Sequence, residues 1–416
     1  MQTKDIQIQD YNYPLHDSRI AKYPLADRSA SKLLVRSISG EIHHDSFQNL
    51  TQYLAPNSLL VFNNTKVIQA RLHFHKSTGA LIEIFCLEPC KPVDYQLSFA
   101  SIQQVSWTCL VGNLKKWKEG KLTQEVMVKG APLTLTAERL GNSSTGFEIQ
   151  FCWNSSSVCW SEILESLGEL PIPPYLNRST EESDLQTYQT VYSKIKGSVA
   201  APKAGLHFTD EILAQLDQLN IERNEVTLHV GAGTFKPVKS ERIGQHPMHA
   251  EWISVHRSTI ERLLAHDAQC VAVGTTSVRT IESLYYIGII ILRAVERQED
   301  LASLNLSVAQ WMPYDEAELA SRIDAKTSLK QILQYMDVMK TDQINTTTQI
   351  IIAPGYQFKI VKTIITNFHQ PQSTLLLLVS AFVGGRWREI YDYALDHEFR
   401  FLSYGDSSIL NFDALS

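Results

Sequence analysis

Between Lys66 and Trp153 six short segments rich in Val, Ile, Leu, Phe and Thr succeed one another: Lys66–His75, Ala80–Leu87, Val105–Val111, Leu122–Val128, Leu133–Ala137 and Phe147–Trp153. Gly79, Gly112, Gly120, Gly130 and Gly141 punctuate them. Short strands at even spacing, with turn residues between them, predict a small barrel or sandwich. On either side the rhythm differs. Residues 1–65 join a helix-like stretch to one buried strand, Ser58–Phe62. Beyond Ser161, amphipathic helices at Thr209–Leu219 and Ser258–His266 each open on a Thr or Ser cap. They alternate with buried strands at Asn224–Val230, Gln269–Val273, Gln349–Ile352 and Thr363–Thr366. Strands alternating with helices make an α/β layer. The expected fold class is therefore α/β, with a mixed α/β catalytic domain built from residues 1–65 and 166–416. A small β-barrel domain is inserted at 66–165. Residues 294–346 carry helical patterns at Glu316–Ile323 and Ser328–Met336 and read as an insertion between two strands.

At 416 residues and 44% hydrophobic, the chain can bury two cores, and disorder is excluded. The apolar runs Leu284–Leu292 and Leu375–Val383 fall short of the roughly 20 residues a bilayer requires. The first ten residues are polar, with no apolar core of a secretory signal. A soluble, cytoplasmic protein without membrane contact is expected. The six cysteines form no CxxC pair, so no metal is expected. Cys152 and Cys159 are near enough in sequence to meet as a disulfide, but reduced, half-buried thiols are the expectation. The net charge of −6 argues against a general nucleic-acid coat and leaves room for a local basic surface. Lys115, Lys116, Lys118 and Lys121 form one cluster, and Lys194, Lys196 and Lys203 another. Such runs are either solvated faces or phosphate contacts.

Several motifs sit where strands give way to loops or helices. Gly231-Ala-Gly-Thr-Phe-Lys236 follows a strand, and its Gly231, Gly233 and Thr234 make either a plain tight turn or a cradle of N–H groups for an anion. His207 and Phe208 precede the cap Thr209. They read either as a proton-transfer group with a stacking ring, or as a capping histidine with a hydrophobic staple. His249 and Glu251 share one strand face by period two, an acid/base pair or a solvated edge. Thr275, Thr276 and Arg279 open a helix after a buried strand, which suits a carboxylate or phosphate, or simple N-capping. Asn367 and His369 follow another buried strand, where α/β sheets bind ligands or merely turn. Arg400, Tyr404 and Asp406 lie in an aromatic and basic segment that grips RNA or docks into the core.

In order along the chain stand Tyr13-Pro-Leu15, Ile20-Ala-Lys-Tyr-Pro-Leu-Ala-Asp-Arg28, Leu60-Val-Phe-Asn-Asn-Thr-Lys-Val-Ile68, Gly168-Glu-Leu-Pro-Ile-Pro-Pro-Tyr175 and Ala204-Gly-Leu-His-Phe208. Thr227-Leu-His-Val-Gly-Ala-Gly-Thr-Phe235, Val273-Gly-Thr-Thr-Ser-Val-Arg279, Thr366-Asn-Phe-His369 and Ser403-Tyr-Gly-Asp406 follow. In these segments the chain resembles the S-adenosylmethionine:tRNA ribosyltransferase-isomerases of queuosine biosynthesis. The resemblance implies an α/β domain with an inserted β-barrel. It also implies an enzyme that moves and isomerises the ribosyl part of S-adenosylmethionine onto 7-aminomethyl-7-deazaguanine in a tRNA anticodon. Epoxyqueuosine-tRNA forms, and adenine and methionine leave. Lys203 stands where the family usually has threonine, Gln370 where it usually has leucine, and 294–346 looks long.

On this basis His207, His249, Glu251 and Asp406 are the proton-transfer candidates, with His229 and His369 behind them. Phe208, Gly231, Gly233, Thr234, Thr275, Thr276, Arg279, Asn367, His369 and Tyr404 are expected around S-adenosylmethionine, a ribosyl-donor co-substrate. Lys115, Lys116, Lys118, Lys194, Lys196, Lys203 and Arg400 are expected at the tRNA. No obligate protein partner is evident. Competing expectations are a diverged S-adenosylmethionine-dependent enzyme acting on another RNA or amine, and a non-catalytic RNA- or nucleotide-binding protein.

Overall fold

The computed structural model describes residues 2–143, 145–231, 233, 238 and 240–412. A nine-stranded mixed sheet organises the larger part. Its spatial order is Gln343–Thr348, Glu251–His256, Glu222–Leu228, Leu59–Asn63, Cys270–Val273, Val361–Asn367, Ser407–Asn411, Lys32–Arg36 and Ile42–Ser46. The four strands from Glu222–Leu228 to Val361–Asn367 run parallel. Leu59–Asn63 and Cys270–Val273 are buried at every position, as strands covered on both faces must be. The register pairs Asn63 with Val226 and Val273 with both Phe62 and Ile365, so the four parallel strands finish at one edge. Asn63 pins that edge, donating to Leu228 O at 3.0 Å and accepting from Leu228 N at 3.1 Å.

Helices cover the sheet. Thr275–Glu296 is almost wholly buried and starts directly at the end of Cys270–Val273. Ala325–Met339 packs against it, and the following strand Gln343–Thr348 forms one sheet edge. Asp210–Gln218 is capped by Thr209, whose hydroxyl accepts from Ile212 N, and Thr374–Phe382 by Ser373.

The second unit is a six-stranded antiparallel sheet, ordered Arg71–His75, Leu81–Lys91, Gln104–Gly112, Phe147–Trp153, Ala131–Asn142 and Leu122–Val128. It curls until its first and last strands meet, as the glycine-punctuated pattern predicts. Leu72 and Phe74 point inward while Arg71, His73 and His75 do not. Trp160, at the start of the helix Trp160–Leu167, packs inside against Phe151 and Trp153. The fold class is thus the expected mixed α/β body with a barrel-like β unit.

Local details differ from expectation. The N-terminal region contributes two further strands, Lys32–Arg36 and Ile42–Ser46. Ile350–Ile352 is buried but belongs to no strand, because the sheet-edge strand ends just before it at Gln343–Thr348. All six cysteines are free. Among the described residues no helix is long and apolar enough to cross a membrane. No group of three or more potential ligand side chains is gathered as a metal site would require, again among the described residues.

Candidate active site

At the carboxyl edge of the parallel strands lies a cavity of about 450 Å³, within the range of small-molecule sites. Lys203, Glu251, Arg279, Phe368 and His369 are part of its wall. A recess of about 30 Å³ adjoins it, bounded by Thr275, Thr276, Thr366 and Asn367. Lys203, His369 and Leu375 border both spaces.

Glu251 opens an antiparallel strand, and Arg279 sits one turn into the helix Thr275–Glu296. The topology sets them face to face. Arg279 Nη1 donates to Glu251 Oε2, and both side chains are only 7% exposed. Glu251 Oε1 accepts from Gly231 N at 3.3 Å, and Arg279 Nε donates to Ile350 O at 3.2 Å. Arg279 Nη2 is buried without a partner among the described residues. The residues read separately as proton-transfer group and anion holder are one ion pair in the cavity wall.

His369 is held at three points. Its backbone N–H donates to Tyr391 Oη at 2.9 Å, its carbonyl accepts from Tyr13 Oη, and Nε2 lies 3.0 Å from Thr366 Oγ1. Nδ1 is the ring nitrogen left for the cavity. Burial, reinforced by the charge of Lys203, lowers its pKa to about 3, so the imidazole is neutral. The Lys203 ammonium lies 5.3 Å from the Tyr175 ring centroid, a cation–π contact beside the cavity. Gln370 also lines it.

His249 is exposed at the cavity wall, its ring lying over Gly233. A Cβ at position 233 would stand 2.5 Å from His249 Cδ2, so this glycine makes room for the imidazole. Gly231 lines the cavity as well. Thr234 lies outside the described residues.

Other expected site residues are placed differently. His207 has both nitrogens engaged, Nδ1 with Ser31 Oγ at 2.8 Å and Nε2 with Asn367 Nδ2 at 3.1 Å. Burial brings its pKa down to about 4, and it is not a cavity-lining residue. Asp406 is buried and saturated. It accepts from Lys32 N, from Arg400 N at 2.7 Å and from Arg400 Nη2 at 2.8 Å, fixing the C-terminal strand. Phe208 has no free face, since its ring meets Phe47 and Phe62 edge-on within the core. Tyr404 donates to Asp184 at 3.0 Å, beside the Arg178–Asp184 pair. His229 is stacked between Tyr95 of the barrel unit, 3.9 Å between centroids, and Trp252 of the α/β body, at 5.2 Å. Among the described residues neither of its ring nitrogens has a hydrogen-bond partner, and burial lowers its pKa to about 3.

The cations divide sharply. Lys194 pairs with Glu225 at 2.7 Å, Lys196 with Glu165 and Arg400 with Asp406. Lys115, Lys116 and Lys118 have no carboxylate partner among the described residues. The fold adds two cations that the sequence reading missed. Lys76 donates to Lys116 O at 2.9 Å and Arg139 to Lys118 O at 2.6 Å. Both are far from the cluster in sequence, and only strand pairing brings them together.

The family of proteins described as queuosine biosynthesis proteins matches residues 8–313 and 315–410. The chain belongs to this family. A relative in it, from Polynucleobacter necessarius subsp. necessarius (strain STIR1), is named S-adenosylmethionine:tRNA ribosyltransferase-isomerase. It is 35% identical over 413 residues, covering 97% of this chain and 98% of its own. A solved structure of S-adenosylmethionine tRNA ribosyltransferase from Thermotoga maritima is 25% identical, with a TM-score of 0.44 over 96% of this chain and 99% of that one. The queuosine-family match takes in every cavity residue named above.

Proposed function

We propose that the chain is an S-adenosylmethionine:tRNA ribosyltransferase-isomerase. It transfers and isomerises the ribosyl group of S-adenosylmethionine onto 7-aminomethyl-7-deazaguanine in a tRNA anticodon, giving epoxyqueuosine-tRNA, adenine and methionine. Family membership and the relative's name support this reading. Within the molecule, the observation that carries it is the open Nη2 of Arg279 beside Glu251 in one cavity. A guanidinium edge suits a carboxylate, and a neighbouring carboxylate suits a cation. S-adenosylmethionine carries both groups, an α-carboxylate and a sulfonium.

The sulfonium acidifies the C5′ protons of the ribose. Removal of one forms a C4′=C5′ double bond as the C4′–O4′ bond breaks, and O4′ becomes a C1′ aldehyde as adenine leaves with a proton supplied to its ring. The tRNA amine then adds to C4′, the C5′ carbanion this restores closes onto C1′, and the resulting O4′ alkoxide displaces methionine from C5′ to form the epoxide. His369 is our candidate for the base, because it lines the cavity and Thr366 occupies its Nε2, leaving Nδ1 as the nitrogen for substrate; ligand binding must raise its basicity for this role. His249, at the exposed wall, is the candidate acid for departing adenine. Arg279 holds the methionine carboxylate. Lys203 is assigned to a tRNA phosphate, since a cation beside the sulfonium is unfavourable. The barrel cations Lys115, Lys116 and Lys118 are assigned to the tRNA backbone, and the cytoplasm, where tRNA is found, is the proposed location. The reading calls on no metal and no protein partner.

The purified chain, given S-adenosylmethionine and tRNA carrying the deazaguanine precursor, should release adenine and methionine in equal amounts. No adenine, under conditions where a characterised relative turns over, overturns the reading.

A further inference from the structure

We propose that the 30 Å³ recess is a subsite for a pair of neutral hydroxyl groups, and that Ser31 and His207 serve to aim the Asn367 carbonyl at it. The orientation of one amide is fixed by its neighbours. Asn367 is 2% exposed, and its Nδ2 lies 3.1 Å from Leu402 O. A carbonyl only accepts, so this end of the amide is the NH₂. The same NH₂ faces His207 Nε2, which therefore accepts. A neutral imidazole then carries its hydrogen on Nδ1 and donates it to Ser31 Oγ at 2.8 Å. Each link fixes the next, and Oδ1 of Asn367 is left as the open end.

That oxygen is buried and has no partner among the described residues, although its residue lines the recess. On the first turn of the helix Thr275–Glu296, Thr276 Oγ1 is buried and unpartnered too, and Thr276 also lines the recess. Two such atoms bordering one small space are what a site for a hydrogen-bonding ligand group looks like before it is filled. A water-sized group needs roughly 10–15 Å³ of this volume, so the recess takes about two. An amide oxygen repels an anion and requires a donor, which disfavours a carboxylate or phosphate here, and the Lys203 cation on the recess wall disfavours an ammonium. Thr276, expected from the sequence to hold an anion, instead partners an acceptor. The chemistry left is a vicinal diol.

This rests on the proposed function, under which the ligand with a vicinal diol is S-adenosylmethionine, through its ribose. The ligand then runs in one direction. Its carboxylate meets Arg279, its 2′- and 3′-hydroxyls enter the recess, and His369, which borders both spaces, stands next to C5′.

The test is calorimetric binding of S-adenosylhomocysteine and of its 2′-deoxy and 3′-deoxy analogues to the purified full chain. At least one deoxy analogue should bind about 10- to 100-fold more weakly, because its loss leaves a buried oxygen unpaired. In Thr276→Val, checked for folding by its thermal transition, that discrimination should shrink. Equal affinity of all three compounds for the unaltered protein overturns the subsite and assigns the recess to ordered water, leaving the proposed function standing. Failure of S-adenosylhomocysteine itself to bind, together with no adenine release from S-adenosylmethionine, overturns both.

Discussion

Arg279 gives one terminal nitrogen to Glu251 and has no partner for the other among the described residues, although both side chains are buried. A buried pair of this kind is weak evidence for stability, since desolvation offsets much of the attraction. Its value lies in the remaining nitrogen, a donor already charged, already desolvated and fixed in direction. Glu251 and Gly231 on one side and Ile350 on the other keep it there.

Removing one member of the pair strands the other. Arg279→Ala should cost about 3–5 kcal/mol, read from urea unfolding, because the Glu251 carboxylate remains buried without its cation. The double variant Glu251→Gln, Arg279→Gln should lose less than the sum of the single changes. Strict additivity would show that the two side chains are not coupled in solution.

Acid should weaken the fold before ordinary carboxylates titrate. His207 has its pKa lowered to about 4, and His229 and His369 to about 3, each by burial, against about 6.5 for an unfolded histidine. Between those values the unfolded chain binds more protons. The stability they contribute is present in full above pH 6.5 and is lost as the pH falls. Three such groups give a slope of up to about 4 kcal/mol per pH unit. The urea midpoint should therefore be clearly lower at pH 5 than at pH 7.5, and identical midpoints would contradict the buried neutral assignment.

Glu282 ties the strand Val361–Asn367 to the central helix. Its two oxygens accept from Tyr356 Oη at 2.7 Å and from the backbone N–H groups of Lys359, Ile360 and Val361 at 2.9, 3.0 and 2.8 Å. Glu282→Gln turns an NH₂ toward donors and should cost about 2–3 kcal/mol in chemical unfolding. Any loss of ligand affinity should follow, because this strand carries Asn367 and His369 to the cavity. An unchanged unfolding midpoint would count against that anchoring role.

The barrel cations should act on tRNA alone. Replacing Lys115, Lys116 and Lys118 together with Ala should weaken tRNA binding and flatten the dependence of log affinity on log salt by up to about 3. Affinity for S-adenosylhomocysteine should not change. An unaltered salt slope would move the tRNA contact elsewhere.

The barrel strands Leu122–Val128 and Phe147–Trp153 were readable to the residue, because alternation and glycine turns are local signals. The helix at Asp210–Gln218 announced itself through Thr209 for the same reason. Lys32–Arg36 and Ile42–Ser46 escaped, since their partners are Ser407–Asn411 and each other, and strands of five residues carry little pattern. Gln349–Ile352 misled because burial alone looks like a strand. At the site, the positions after buried strands are those of Arg279, Asn367 and His369, which line the cavity or its recess. What the sequence could not supply was pairing. Asp406 looked like a free acid and is saturated by Arg400, while His207 looked like a base and spends both nitrogens on Ser31 and Asn367.

A crystal structure of the chain with S-adenosylhomocysteine bound tests the account most directly. The account predicts the ligand in the 450 Å³ cavity, its carboxylate on Arg279 Nη2 and its ribose hydroxyls against Thr276 Oγ1 and Asn367 Oδ1. A ligand lying elsewhere, or one whose carboxylate ignores Arg279, would contradict it.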